Sequence, residues 1–219
     1  MAEAERSLAA TNADFLVLQG SDAGGHGSRH AASIVSLVPE VKDRLAAMGR
    51  ADVPVVAAGG IADGRGVAGA VALGGDGVAM GTRFLASEEC GVAEGWKGEV
   101  VRVGDGGVAT VRSTLCDRLK GNGEWPDRYD GRMIRNKGHE DEEAGMGDEE
   151  NVRLYKEELR RGDEAWGAHG RMVAYAGTGV GLVRSVQRAG SIVEETRRDA
   201  RKILERLSRN VNGLERSQL

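Results

Sequence analysis

Large aromatic rings are scarce in this chain: Phe, Trp and Tyr together make up 4% of its 219 residues, so ring packing cannot dominate a core. Cysteine is scarcer still. Cys90 and Cys116 are too few for a disulfide framework and lack the spacing of zinc ligands, which makes a reducing, cytoplasmic setting the expectation. No apolar run approaches the ~18 residues of a membrane-spanning helix. The opening MAEAERSLAA has no basic stretch followed by an apolar one, so no secretory signal is expected either. Positive charge is not in excess: 30 Lys and Arg against 34 Asp and Glu leave a net charge of −4. A nucleic-acid partner, which would need a basic face, is therefore not expected.

Glycine, by contrast, is abundant. Its 34 occurrences are about twice the ~7% average usage, with no collagen period. Such a chain has many backbone positions with positive φ or in close approach to another group. Its 40% apolar content suffices for the core of one domain.

The apolar pattern predicts alternating helices and strands in the first half. Residues 2–11 suit a short helix. Phe15–Gly20 (FLVLQG) is a continuous apolar run ending in glycine, the pattern of a strand buried on both faces. A polar, glycine-rich loop follows, SDAGGHGSRH, and then a helix that Pro39 should open. PVVAA (Pro54–Ala58) and DGVAM (Asp76–Met80) are the second and third strands, separated by a helix over about Gly64–Leu73, and Ser87–Trp96 suits another helix. Strands and helices alternating at this spacing predict an α/β fold with a parallel sheet. Beyond residue 99 the pattern suggests a short strand pair over Val100–Val111 with its turn at Gly104–Gly107, then an irregular excursion over 121–150. That excursion includes an acidic loop at about 138–150. Helices are expected at Arg153–Arg161, Leu182–Ala189 and Ile192–Leu207, the last with a solvated basic face of Arg197, Arg198, Arg201 and Lys202. The chain divides on this reading into residues 1–98 and an extension, 99–219.

All three strands end in glycine-bearing turns at the carboxyl edge of the sheet, where α/β proteins place ligands. Two of these turns, AAGGIADGRG and MGTRF, have the character of a phosphate cradle: backbone N–H groups, helix N-termini and the Thr82 hydroxyl. The first turn sets Gln19 at a strand end, where its amide can both donate and accept. Gly24 and Gly25 let the chain fold back, and His26 follows as a candidate general base. Asp22 reads as a turn residue, Trp125 as a packing anchor, and His30, His139 and His169 as surface or capping residues. Cys90 and Cys116 have no histidine partner that would make them nucleophiles.

The ordered trio of loops, LQGSDAGGHG followed by PVVAAGGIADGRGVAGAVALGGDGVAMGTRF, resembles the nitronate monooxygenase family of FMN-dependent (β/α)8 barrels. The downstream runs ATVRSTLCDRLKGNGEWPDRYDGR and GRMVAYAGTGVGLV resemble fungal-type members. The resemblance implies that His26 is the active-site base toward a neutral nitroalkane or positions the nitronate. It sets Gln19 and Gly24, with Gly25 beside them, against the flavin. Gly60, preceded by Gly59, falls at the FMN phosphate, and Ala79, Met80, Gly81 and Thr82 close over it. The family usually has glutamate at Asp22 and often glutamine at Ala79.

The resemblance further implies oxidative denitrification of nitronates and nitroalkanes with O2 to carbonyl compounds and nitrite. Family members carry five strands before this region, so the chain corresponds to about strands 6–8. Three of eight strands cannot close a barrel and leave an open edge. That predicts a complementing N-terminal half, a homo-oligomer, a misplaced start or an inactive truncation. A related enoyl-reductase-like FMN barrel and a non-catalytic remnant are the alternatives.

Overall fold

A computed structural model describes residues 2–10, 13–121 and 125–216. Helix α1 (Ala2–Ala10) leads into strand β1 (Leu16–Gln19), and a tight turn brings the chain back as β2 (Gly25–Ser28). Then come α2 (Ile34–Ala47), β3 (Val55–Ala58), α3 (Gly64–Ala72) and β4 (Gly77–Ala79). The three predicted parallel strands pair in the order β1-β3-β4, with Leu16 opposite Val55 and Ala58 opposite Ala79. The predicted α/β architecture is what the chain adopts, and its parallel sheet is an open segment of three strands.

Side-chain alternation explains which face is covered. Leu16 and Leu18 of β1 and Val55 and Ala57 of β3 point to a core that also contains Val38, Val41 and Leu45 of α2. Each such buried aliphatic side chain stabilises the fold by roughly 1.5–3 kcal/mol relative to exposure. The other face is open: Phe15 is 55% and Val17 52% exposed. The expectation of a strand buried on both faces is thus corrected to one face, because helices cover only one side. Helix α2 begins at Ile34, not at Pro39. The N–H that Pro39 lacks would have met the carbonyl of Val35, a residue 65% exposed, so the helix absorbs the proline on its wet side.

The second half is more regular than its sequence suggests. A single turn, α4 (Thr82–Leu85), follows β4, and the next helix is α5 (Glu94–Arg102), later than the predicted Ser87–Trp96. In place of a strand pair over 100–111, α6 (Gly106–Ala109) precedes β5 (Thr110–Ser113), and α7 (Leu115–Lys120) follows. The expected irregular excursion contains β6 (Tyr129–Ile134), α8 (Lys137–Glu143) and the start of α9 (Asp148–Leu159). Strand β6 is the centre of an antiparallel sheet ordered β2-β6-β5. The glycine-rich first loop is therefore half strand, because Gly25–Ser28 finds a partner more than 100 residues away. The acidic stretch is helical, not a loop, but largely solvated as expected: Glu140, Glu143, Asp148, Glu149 and Glu150 are exposed, while Asp141 pairs with Lys137 and Arg171, and Glu142 with Arg118. Residues 183–188 are not helical; the last helix is α10 (Ala189–Arg216). It packs on α3, where a Cβ on Gly64 would come within 2.5 Å of the Ala200 nitrogen. Its bases Arg197, Arg198, Arg201 and Lys202 are exposed as expected, whereas Val193 lies outside the packed stripe, 41% exposed.

Candidate functional site

The carboxyl-end tips of β1, β3 and β4 open together onto one hollow of about 480 Å³. All nine residues singled out for a cofactor line it: Gln19, Gly24, Gly25, Gly59, Gly60, Ala79, Met80, Gly81 and Thr82. Gly59 (φ +110°) and Gly60 (φ +74°) turn the chain after β3 with backbone angles that L side chains rarely adopt. Among the described residues, no acceptor takes the N–H groups of Gly59, Gly60 or Gly81. The Thr82 hydroxyl oxygen accepts the Gly177 N–H at 2.9 Å, which leaves its own proton to donate. One expected contributor is withdrawn. The N-terminus of α3 is capped by its own Asp63, whose carboxylate accepts from the N–H groups of Arg65 and Gly66 and is held below the usual carboxylate range by those bonds and by Arg65, against the opposing effect of burial. That helix end does not face an outside anion with free donors.

The C-terminal segment completes the wall. Tyr175 and Gly179 line the same hollow, as does Trp96, whose Nε1 donates to the Tyr175 carbonyl at 3.2 Å. Asp22 lies in the turn Gly20–Ala23, closed by the Ala23 N–H to the Gly20 carbonyl at 3.1 Å, as expected, and it also ties that turn to the C-terminal segment. Its carboxylate accepts from the Thr178 hydroxyl at 2.8 Å, and its carbonyl accepts the Thr178 N–H at 3.0 Å. The two turns are so close that a Cβ on Gly24 would sit 2.5 Å from the Gly177 nitrogen. We therefore expect Gly24→Ala to cost about 2 kcal/mol of stability through overpacking. An unchanged midpoint in denaturant unfolding would show that the turns can part.

His26 stands just outside this hollow, in β2, lining an adjoining cavity of about 560 Å³ along the open edge of β1. Gln19 lines both cavities, and its Nε2 donates to the His26 carbonyl at 2.9 Å, so half of its amide is already engaged. The His26 imidazole Nε2 lies 2.9 and 3.0 Å from the two carboxylate oxygens of Asp117 in α7. Trp125 stacks flat on the ring, centroids 4.1 Å apart and planes 8° apart, and Tyr175 leans against it at 5.5 Å. Trp125 is a packing residue, as expected, but what it packs on is the site histidine.

The ionisable groups behind the ring are shifted by their surroundings. Burial, then the neighbouring Cys116 and Asp117, raise the Tyr175 phenol above its ordinary value. Burial pushes the Cys116 thiol up to about 12, which agrees with its exclusion as a nucleophile. Burial also lowers Lys120, whose Nζ sits 4.8 Å over the Tyr175 ring. Sequence reasoning missed Asp117 and Tyr175 as site residues. Asp117 meets His26 across 91 positions, which no local pattern records. Tyr175 sits in the GRMVAYAGTGVGLV run, which carried a resemblance but no role.

Comparisons with known proteins show the family and the fold. A family model described as nitronate monooxygenase matches residues 1–197. The nitronate monooxygenase npaC of Metarhizium robertsii is 48% identical over 201 residues, which cover 91% of this chain and 56% of that protein. Among solved structures, the nitroalkane oxidase of Streptomyces ansochromogenes superposes with a TM-score of 0.68 at 28% identity, covering 94% of this chain and 56% of that one. FabK of Thermotoga maritima gives 0.69 at 28%, covering 93% and 59%. The chain spans about half the length of the curated relatives it matches. By its family match over residues 1–197 and the extent of its identity to npaC, this chain belongs to the nitronate monooxygenase family.

Proposed function

We propose that this chain supplies the FMN cradle and the proton-accepting histidine of an enzyme converting alkyl nitronates and nitroalkanes, with dioxygen, to carbonyl compounds and nitrite. The observation that carries this reading is the convergence of three strand tips on one hollow of about 480 Å³, a size typical of small-molecule and cofactor sites. Its residues suit a flavin mononucleotide. The N–H groups of Gly59, Gly60 and Gly81 and the Thr82 hydroxyl would hold the phosphate, while Gln19, Gly24, Gly25, Ala79 and Met80 would lie along the rest of the cofactor. The chemistry a bound FMN supplies is electron transfer between nitronate and dioxygen. The chain's own part is to bind, to orient and to hold a proton at His26.

In this reading residues 1–98 carry the cradle and 99–219 close over it. The unpaired edge of β1 is where further strands, from a complementing polypeptide or a second copy, would pair, and they would help cover the open face that carries Phe15 and Val17. The setting proposed is cytoplasmic; among the described residues no helix is long and apolar enough to cross a membrane.

Flavin titration tests the cradle. The chain should quench FMN fluorescence saturably, and Gly81→Val should weaken binding at least about tenfold, because a Cβ there meets no protein atom within 4 Å and projects into open space. Absence of flavin binding by the wild type, or equal affinity of the variant, would overturn the reading.

A further inference from the structure

The pairing of His26 with Asp117 has a consequence for which nitrogen can act. We infer that Asp117 is a positioning residue that accepts the Nε2–H of His26 and so leaves Nδ1 as the only ring nitrogen with a lone pair to receive a proton. This rests on the proposed base role of His26 and names the atom and the residue through which it works.

Four observations carry it. Both Asp117 oxygens lie within 3.0 Å of Nε2, so the carboxylate addresses that nitrogen whichever oxygen accepts. The Asp117 side chain is only 6% exposed while that of His26 is 21% exposed, so the acid is the buried anchor and the ring the accessible partner. Asp117 lies in α7, whose Leu115, Cys116 and Leu119 are buried in their own core cluster, so the carboxylate sits on a fixed support. The imidazole is also held by its faces, with Trp125 stacked at 4.1 Å and Tyr175 at 5.5 Å. A ring fixed by one edge and a stacked face cannot rotate to exchange its nitrogens. The negative charge of the same carboxylate also contributes to raising the Tyr175 phenol. The charged and titratable groups around the pair are thus Asp117 and Cys116 of α7, Tyr175 of the C-terminal segment, and Lys120 over the Tyr175 ring.

The step this geometry serves is a plain proton transfer. The α-carbon C–H bond of a neutral nitroalkane breaks and an Nδ1–H bond forms. The released electron pair becomes the C=N bond of the nitronate, with the negative charge on its oxygens. The imidazolium then carries its charge against Asp117, as a carboxylate steadies the histidine of an Asp-His pair in acyl transfer.

The test uses the full chain labelled with 15N-histidine at pH 8. A neutral His26 should give a pyrrole-type Nε2 bearing a far-downfield proton and a pyridine-type Nδ1. Asp117→Asn should abolish the downfield proton, and Asp117→Glu should retain it at least in part. In the flavin-loaded protein, Asp117→Asn should slow turnover of a neutral nitroalkane at least about tenfold more than turnover of the preformed nitronate. A wild-type spectrum with the proton on Nδ1, or no hydrogen-bonded Nε2 proton, overturns the inference even if neither variant folds. Equal slowing on both substrates also overturns it. Failure to bind FMN with the Nε2 signal present would sink the functional proposal and leave the Asp117 pairing standing.

Discussion

Replacing His26 by alanine is expected to cut turnover of a neutral nitroalkane by about 10²–10⁴, the usual worth of a positioned general base. Turnover of the preformed nitronate should fall by less than about tenfold, because its α-proton is already gone. The asymmetry follows from what the imidazole is placed to do. It lies beside the hollow formed by the strand tips, tethered to Asp117, and its cavity shares Gln19 with that hollow. The variant should fold: losing the stacking with Trp125 costs roughly 0.5–1.5 kcal/mol and leaving the buried Asp117 carboxylate without its ring partner roughly 1–3 kcal/mol, together less than the 5–15 kcal/mol that holds a domain together. Initial rates of nitrite release from both substrate forms measure the effect. Equal loss on the two forms would mean that His26 orients substrate and abstracts no proton.

Most of the first half was legible because its determinants are local. FLVLQ, PVVAA and DGVAM are short apolar runs closed by glycine, and each is a strand whose tip reaches the hollow. The turns that line the hollow were legible for the same reason: Gly59-Gly60 and Gly81-Thr82 mark them by their own composition. What failed depended on distant partners. GHGS carries no strand signal, yet β6 supplies the hydrogen bonds that make it one. The run from Glu140 to Glu150 is solvated as read, but its helices and the pairing of Asp141 and Glu142 were not legible, because their counter-ions Arg171 and Arg118 lie elsewhere in the chain. A helix starting at about Gly64 was legible, but whether Asp63 caps it or leaves donors for a phosphate is a question of side-chain rotamer. Asp117 is the clearest case: a carboxylate within a short helix has no local reason to be a site residue until folding sets it under His26.

The other histidine held in the fold supports the second large prediction, on stability against pH. His139 is 2% exposed at the start of α8. There its backbone N–H donates to the Asn136 side-chain oxygen at 3.3 Å, the cap of the helix, and its Nδ1 lies 2.8 Å from the same oxygen. The Asn136 amide nitrogen already donates to the carbonyls of Arg171 and Met172. Its oxygen is therefore the end that faces the ring, and the Nδ1–H donates to it. Nε2 is left without a hydrogen-bond partner in a buried site, tolerable as a bare lone pair but costly as a charged N–H. Burial first, then Arg135 and Arg118, lower its pKa from 6.5 to about 4, against a smaller opposing pull from Glu143. The folded state binds this proton less readily than the unfolded chain, so the stabilising contribution is complete above pH 6.5 and drains away as the pH falls toward 4. The gap corresponds to about 3 kcal/mol, a large share of a domain's stability. His139→Gln keeps the Asn136 cap, supplies a side-chain oxygen that can accept the Asn136 N–H as glutamine does at that position, and removes the titration. Denaturant unfolding from pH 7 to pH 4 should show the wild type losing about 3 kcal/mol more than the variant. The difference between the two curves isolates His139 from the carboxylates that titrate in both. Parallel curves would mean that the ring finds an acceptor or water on protonation, and that α8 opens locally before the fold does.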